Sequence, residues 1–282
     1  MAHDAAWADY WREHRGRGCL ATAPPLVHAT LDGIWRDFAA TLPPGGRVLD
    51  IAAGDGAVIR AMRAVRPDLD IIGVDYADTG PDAAALGVRG GVDAADLPFA
   101  AGAFDAVTSQ YGIEYCPERA IGEAARVLAP GAALAFVCHH SDSRPTAHNR
   151  RRLAAMRAMA DAGLFALAQA VAAGGAEDAR TVQAITRARE TYRDQSVIED
   201  LPIALGQALA GPQPPAAVAV ILRRAEAEMA RLHAMISAST DRQGAVARVE
   251  ALGAHGAVAQ LSPVVAGAVG PIGWQIAARF TR

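Results

Sequence analysis

The chain contains no lysine. All 27 of its basic residues are arginine, set against 30 acidic ones, so the formal net charge is −3. A nucleic-acid enzyme more typically carries a basic excess, and this balance argues against that class. Cysteine is nearly missing too. Cys19, Cys116 and Cys138 are odd in number and far apart, without Cys-x-x-Cys spacing. They support neither a disulfide framework nor a structural zinc site. No run of about 18 purely apolar residues occurs, which leaves no candidate membrane span. The opening Met1-Ala-His-Asp4 lacks a basic start followed by an apolar stretch, so no secretion signal is expected. The expectation is a soluble, cytoplasmic protein. With 282 residues, 52% of them hydrophobic, the chain can build one large domain or one domain with a sizeable addition. Its basic clusters, Arg150-Arg151-Arg152 and Arg223-Arg224, read as solvated helix faces.

The most informative stretch is Arg47-Val-Leu-Asp-Ile-Ala-Ala-Gly-Asp-Gly56. Val48, Leu49 and Ile51 form an apolar run that reads as a buried parallel strand. It stops at Gly54 and Gly56, and a helix can start at Ala57. A strand that turns through small residues into a helix lets a ligand approach the backbone near the helix N-terminus. Nicotinamide and flavin sites need a further glycine inside that helix. Ile59 stands there instead. The pattern present is Asp50-x-Ala52-x-Gly54-x-Gly56, an acid followed by small residues at every second position.

From residue 26 to 129, short apolar runs alternate with helical stretches, the pattern of a doubly wound parallel sheet. A helix over 26–40 precedes strand 47–52, helix 57–65 and strand 70–75. A helix near 81–86, a weaker strand near 88–92 and strand 104–109 follow. Helix 118–128 and strand 132–139 are separated by Pro130-Gly131, which reads as a turn. Residues 141–242 read almost entirely as helix. Leu153, Met156, Ala160, Leu164, Leu167 and Val171 recur at helical steps, as do Val218, Ile221, Leu222, Ala225, Met229, Leu232 and Ile236. Gly174-Gly175 and Gly211–Pro215 separate these helices. This segment is an insertion, because a sheet crossover needs one helix only. Helix 243–252, stopped by Gly253, and strands near 256–261 and 273–280 close the chain.

Asp75 ends the second strand, where a carboxylate can accept hydrogen bonds from both hydroxyls of a cofactor ribose. The alternative is an Asp that caps the following helix. Next comes Gly91-Val-Asp93-Ala94-Ala-Asp96-Leu97-Pro98-Phe99, followed by Gly102-Ala-Phe104-Asp105.

Taken in order, these four segments resemble class I S-adenosylmethionine-dependent methyltransferases, with Ala52 replacing the usual first glycine. The nearest likeness is the broad type 11 group, which includes quinone-pathway enzymes. The resemblance covers 45–140 well and 243–280 loosely. It implies an α/β, doubly wound, Rossmann-like seven-stranded sheet with an antiparallel last strand, plus the helical insertion between strands five and six. The division is then an N-terminal helical cover (1–25), a cofactor-binding core (26–140), the insertion or substrate lid (141–242), and a last helix and strand pair (243–282). The implied cofactor is S-adenosyl-L-methionine. Asp50, Ala52, Gly54, Gly56, Asp75, Tyr76, Asp93, Ala94 and Gln110 are placed with it; Asp93 would accept from the adenine amino group, and Ala94 would offer a backbone N–H. Leu97 and Phe99 are packing residues.

For chemistry, Tyr111 and Glu114 follow the fourth strand, where a substrate should lie. His139 and His140 end the fifth, and one of them can take a proton from a substrate hydroxyl. Only one can point into the cleft, because adjacent strand residues face opposite ways. The Asn/Asp-Pro-Pro-Tyr/Phe sequence of amino-methylating enzymes is missing. Asp142 with the two histidines makes no recognised ligand set, so no metal is expected. Trp7, Tyr10, Trp11 and His14 share one helical face, read as core packing or as a cover over the cleft. The insertion starts on the active-site side and reads as a roof over the substrate, with a homodimer interface as the rival. The reading is therefore a methyltransferase for a small organic molecule, through oxygen or carbon, with no nucleic-acid or membrane partner. A catalytically silent member of the fold, or a nicotinamide oxidoreductase, is the alternative.

Overall fold

The computed structural model describes Trp7, Tyr10, Trp11 and residues 23–281. Seven strands form one sheet: β1 (Arg47–Ile51), β2 (Asp70–Val74), β3 (Val88–Arg89), β4 (Phe104–Gln110), β5 (Leu128–His139), β6 (Ala257–Ala266) and β7 (Gly270–Phe280), in the order β3-β2-β1-β4-β5-β7-β6. β1 to β5 run parallel, and β7 is antiparallel to both β5 and β6. This is the doubly wound arrangement with an antiparallel last strand.

Side-chain alternation gives the sheet two buried faces. On one face Val48, Ala106, Ala135 and Val137 pack with α1 (Pro25–Ala40) and α2 (Ala57–Arg63). The α1 helix buries Val27, Leu31, Trp35 and Ala39, a repeat of four residues. On the other face Leu49, Ile51, Val107, Leu134 and Phe136 pack with Ala120, Ile121 and Ala124 of α4 (Arg119–Val127). The short α3 (Pro81–Ala85) follows β2.

Four expectations about boundaries are corrected. Pro130-Gly131 is no turn: β5 already begins at Leu128, and its pairing with β4 shifts register between Phe104 and Ala106, with Gly131 at φ 77°. Glycine tolerates the positive φ, so the extra residues are absorbed as an irregularity within the strand. The weak strand near 88–92 shrinks to Val88–Arg89. The helix expected to stop at Gly253 runs from Arg242 through Ala254 and ends only before Gly256, at φ 85°. The last two strands are longer than expected, because they continue toward each other to Ala266 and Gly270.

The chain divides into two compact units. The sheet unit runs to Thr146 and resumes at Ala238; Ala147–Ser237 form the second. The second unit comprises most of α5 (Arg144–Asp161) and α9 (Pro214–Ala238), with α6 (Leu164–Ala172), α7 (Ala179–Thr191) and α8 (Val197–Leu209) between them. Its core holds Met156, Met159, Leu164, Leu205, Val218 and Leu222. The sheet unit contains α10 (Arg242–Ala254). No helix among the described residues is long and apolar enough to cross a membrane.

The loops at the carboxyl ends of β1 and β4 approach very closely. A Cβ at Gly112 would lie 2.5 Å from the Ala52 Cβ and 3.0 Å from Ser109 Oγ. Gly112→Ala should therefore destabilise the protein by about 1–3 kcal/mol, the cost of overpacking a tight contact. Adding Ala52→Gly should restore part of that loss, read as a coupling energy in a urea-denaturation double-mutant cycle. Strictly additive effects would contradict the contact.

Candidate active site

The turn after β1 is built from left-handed residues: Ala52 at φ 53°, Gly54 at 54° and Gly56 at 83°. The alanine bears a strain of about 1–2 kcal/mol that glycine would not. Asp75, just past β2, holds this turn. Its Oδ2 accepts the Gly54 N–H at 2.8 Å and its Oδ1 the Ala77 N–H at 2.9 Å. It is not a helix cap, since α3 starts only at Pro81. Burial raises its pKa, while the two N–H groups oppose the rise. Asp50 lies wholly buried on β1. Thr108 Oγ1 donates to its Oδ1 at 2.8 Å, and Oδ2 finds no partner among the described residues. Burial pushes its pKa up to about 7, Thr108 resists, and the charge of Asp75 adds to the push.

The other residues expected at the cofactor are distributed differently. Tyr76 is exposed. Asp93 accepts the Ala95 N–H at 2.8 Å through Oδ1 and faces Arg119 through Oδ2 at 3.3 Å, with Ala94 buried beside it. Gln110 points to α1, where its Oε1 accepts the Trp35 indole N–H at 2.6 Å. That oxygen is already committed within the fold. Sequence pattern does not reveal a pair so far apart in the chain.

The two histidines separate as strand alternation demands. His140 stacks on Trp274 at 4.5 Å and its Nδ1 accepts the Asp142 N–H at 3.0 Å, so this pair serves the turn after β5. His139 faces the end of β4. There Glu114, with a fully buried side chain, accepts the His139 backbone N–H at Oε1, and the same oxygen lies against the ring Nδ1, each at 2.8 Å. Tyr111, at φ 52°, lays its ring 4.3 Å from His139, and Tyr115 meets that imidazole edge-on at 5.8 Å. The Tyr111 hydroxyl donates to the Ile272 carbonyl at 3.1 Å. Glu114 was expected to face a substrate; it is buried behind the histidine instead.

Residues 49–136 match the family model described as a methyltransferase domain. Over these residues the chain is similar to methyltransferase domains. Among curated relatives, a demethylmenaquinone methyltransferase from Thermus thermophilus is 39% identical over 98 residues, covering 31% of this chain and 44% of the relative. The ubiquinone/menaquinone biosynthesis C-methyltransferase UbiE of Rhizobium meliloti is 38% identical over 129 residues, 39% of this chain and 49% of its own. A malonyl-[acyl-carrier protein] O-methyltransferase from Methylococcus capsulatus is 35% identical over 104 residues, 33% and 38% of the two chains. The chain thus spans about half the length, or less, of the curated relatives it matches.

The acceptors of this domain suit S-adenosylmethionine, which carries a cationic sulfonium, an ammonium and a ribose diol. Each Asp75 oxygen retains accepting capacity beside its one N–H. Asp50 Oδ2 is a buried acceptor without a partner among the described residues, the kind of atom a cationic ligand satisfies. Across the turn stand the N-terminal aromatics. A Cβ at Gly54 would lie 2.6 Å from the Trp11 indole, Trp7 meets Tyr115 edge-on at 5.6 Å, and Tyr10 and Trp11 cluster with Ala77. Their helical stripe packs on the segments that bear Gly54, Ala77 and Tyr115. His14, expected on the same face, lies outside the described residues. Both described thiols are held protonated: burial pushes Cys116 up to about 12, and burial followed by the Glu114 charge lifts Cys138 well above its usual range. No group of three His, Cys, Asp or Glu suited to a metal occurs among the described residues.

Asp50 makes stability depend on pH. Its folded-state pKa stands above the unfolded value of 3.8, at about 7. The native state therefore holds a proton that the unfolded state releases, and this contribution to stability is lost as pH rises from about 4 to about 7. Asp50→Asn keeps an acceptor for Thr108 and removes the titration. The urea midpoint of the variant, relative to wild type, should rise steadily across that window and level off above it. Parallel profiles would contradict the buried, ionisable state.

Proposed function

We propose that this chain transfers a methyl group from S-adenosylmethionine to a small organic molecule, through an oxygen or carbon acceptor. The observation that carries this reading is the pair of acidic side chains flanking the Gly54 turn, Asp75 at its N–H and Asp50 beneath it. Two carboxyl groups favour a cationic donor there and repel the pyrophosphate of a dinucleotide. The relatives' names, a C-methyltransferase for one and an O-methyltransferase for another, support both acceptor atoms.

The cofactor supplies a methyl group already activated by its positive sulfur. The protein's work is alignment in a dry site. In this reading Asp75 accepts from the ribose hydroxyls, Asp50 faces the positive charge, and Gly54, lacking a Cβ, lets the Trp11 indole pack directly on the turn. Asp93 and Ala94 contact the adenine. Tyr111 and Tyr115 exclude water around His139, whose free ring nitrogen receives the proton of an acceptor that arrives as a hydroxyl. Acceptor choice we assign to the helical unit, because it lies outside the matched residues. A mass of two chains in light scattering, lost on altering that unit's surface, would assign it to a homodimer interface instead.

Calorimetry with S-adenosylmethionine tests the reading. Asp75→Ala should weaken binding by about 2–3 kcal/mol, the scale of hydrogen bonds to a charged group. Gly54→Val should abolish binding, since it puts a β-branched side chain at a positive φ and drives it into the Trp11 indole that packs on the turn. Unchanged affinity in Asp75→Ala would remove the ribose role, and NAD binding by wild type would favour an oxidoreductase.

A further inference from the structure

We infer that Glu114 is the positioning residue of a Glu114–His139 pair, fixing the imidazole in the tautomer that leaves Nε2 as its proton acceptor. The inference deepens the methyl-transfer reading and rests on it for its catalytic meaning, but the tautomer can be tested without turnover.

The geometry leaves little choice of proton positions. Glu114 Oε1 lies 2.8 Å from the His139 backbone nitrogen, which can only donate, and 2.8 Å from Nδ1. An ionised carboxylate can only accept, so the hydrogen shared with the ring sits on Nδ1. In the neutral imidazole Nε2 then holds the lone pair. The backbone contact matters separately: it ties the carboxylate to the strand end, so the ring is held by an acceptor that cannot swing away. Tyr111 on the face of the imidazole and Tyr115 at its edge restrict rotation of the ring. The carboxylate side chain is entirely buried and the histidine side chain only 11% exposed. In such surroundings a fixed negative charge stabilises the imidazolium that forms when Nε2 takes a proton.

The proton balance is simple for transfer to oxygen. The acceptor oxygen forms its bond to the methyl carbon of the sulfonium donor, and the pair of the broken carbon–sulfur bond stays on sulfur. The hydroxyl proton goes to His139 Nε2 and from there to solvent. Glu114 gives and takes no proton in this sequence; it holds the ring.

Nitrogen-15 NMR of the histidine rings in the 282-residue chain, at a pH where the imidazole is neutral, reads the tautomer directly. Wild type should show His139 protonated at Nδ1. Glu114→Ala should move the majority to the Nε2–H form favoured by a free imidazole. Glu114→Gln offers a carbonyl in the same place and should restore the Nδ1–H form, which separates positioning from a loss of fold. Nε2–H in wild type, or an Nδ1–H signal that survives in Glu114→Ala, would overturn the inference. If Glu114→Ala does not fold, an Nε2–H form in Glu114→Gln would overturn it equally. Titration of wild type with S-adenosylmethionine is a separate arm: absence of binding removes the methyl-transfer reading and leaves the tautomer assignment standing.

Discussion

Everything at the mouth of this sheet depends on how closely two backbones approach, at the carboxyl ends of β1 and β4. Gly112 sits where any Cβ would collide with Ala52, and Thr108 donates to Asp50 one step below. On either side of that contact Ala52 and Tyr111 hold positive φ, each a conformation that non-glycine residues avoid. The strain is spent where it has effect. Ala52 opens the turn that Asp75 grips, and Tyr111 turns the chain so that Glu114 comes back beneath His139. One tight crossing thus organises both the cofactor-side acceptors and the imidazole pair.

Much of the fold was legible because its strands are buried on both faces. Runs such as Val48, Leu49 and Ile51 or Ala132–Cys138 are apolar, and the small residues that end β1 mark the turn without ambiguity. The helices of the second unit were legible from their three- and four-residue spacing. Legibility failed where burial is one-sided or local rules mislead. β6 alternates half-buried Ala257, Ala259 and Leu261 with exposed Val258, Gln260 and Ser262, a weak pattern for an edge strand. Pro130-Gly131 has turn chemistry, yet β4 pairs across it.

At the site, residue types were legible and partnerships were not. An acid at the end of β2 follows from strand order, and alternation settles that the two histidines diverge. Which of them gains a carboxylate depends on Glu114, displaced by 25 positions in sequence. Gln110 illustrates the same limit: its place at the end of β4 was right, but a tryptophan on α1 claims its oxygen. Motifs report what a position offers; only packing decides who accepts it.

The insertion between β5 and β6 also sets an order of assembly. Leu134 must find Ala278 across the entire helical unit. Loop-closure entropy grows only slowly, by about 0.6 kcal/mol per doubling of length, so the long detour costs little at equilibrium. Its kinetic effect is larger, because distant strand pairing is slow. During synthesis β1 to β5 are complete while β7 is still unmade, and the helices between them bury Met156, Leu205 and Val218 within their own unit. Throughout that interval the apolar edge of β5 stands open. The arrival of the last eleven-residue strand, β7, is what closes it.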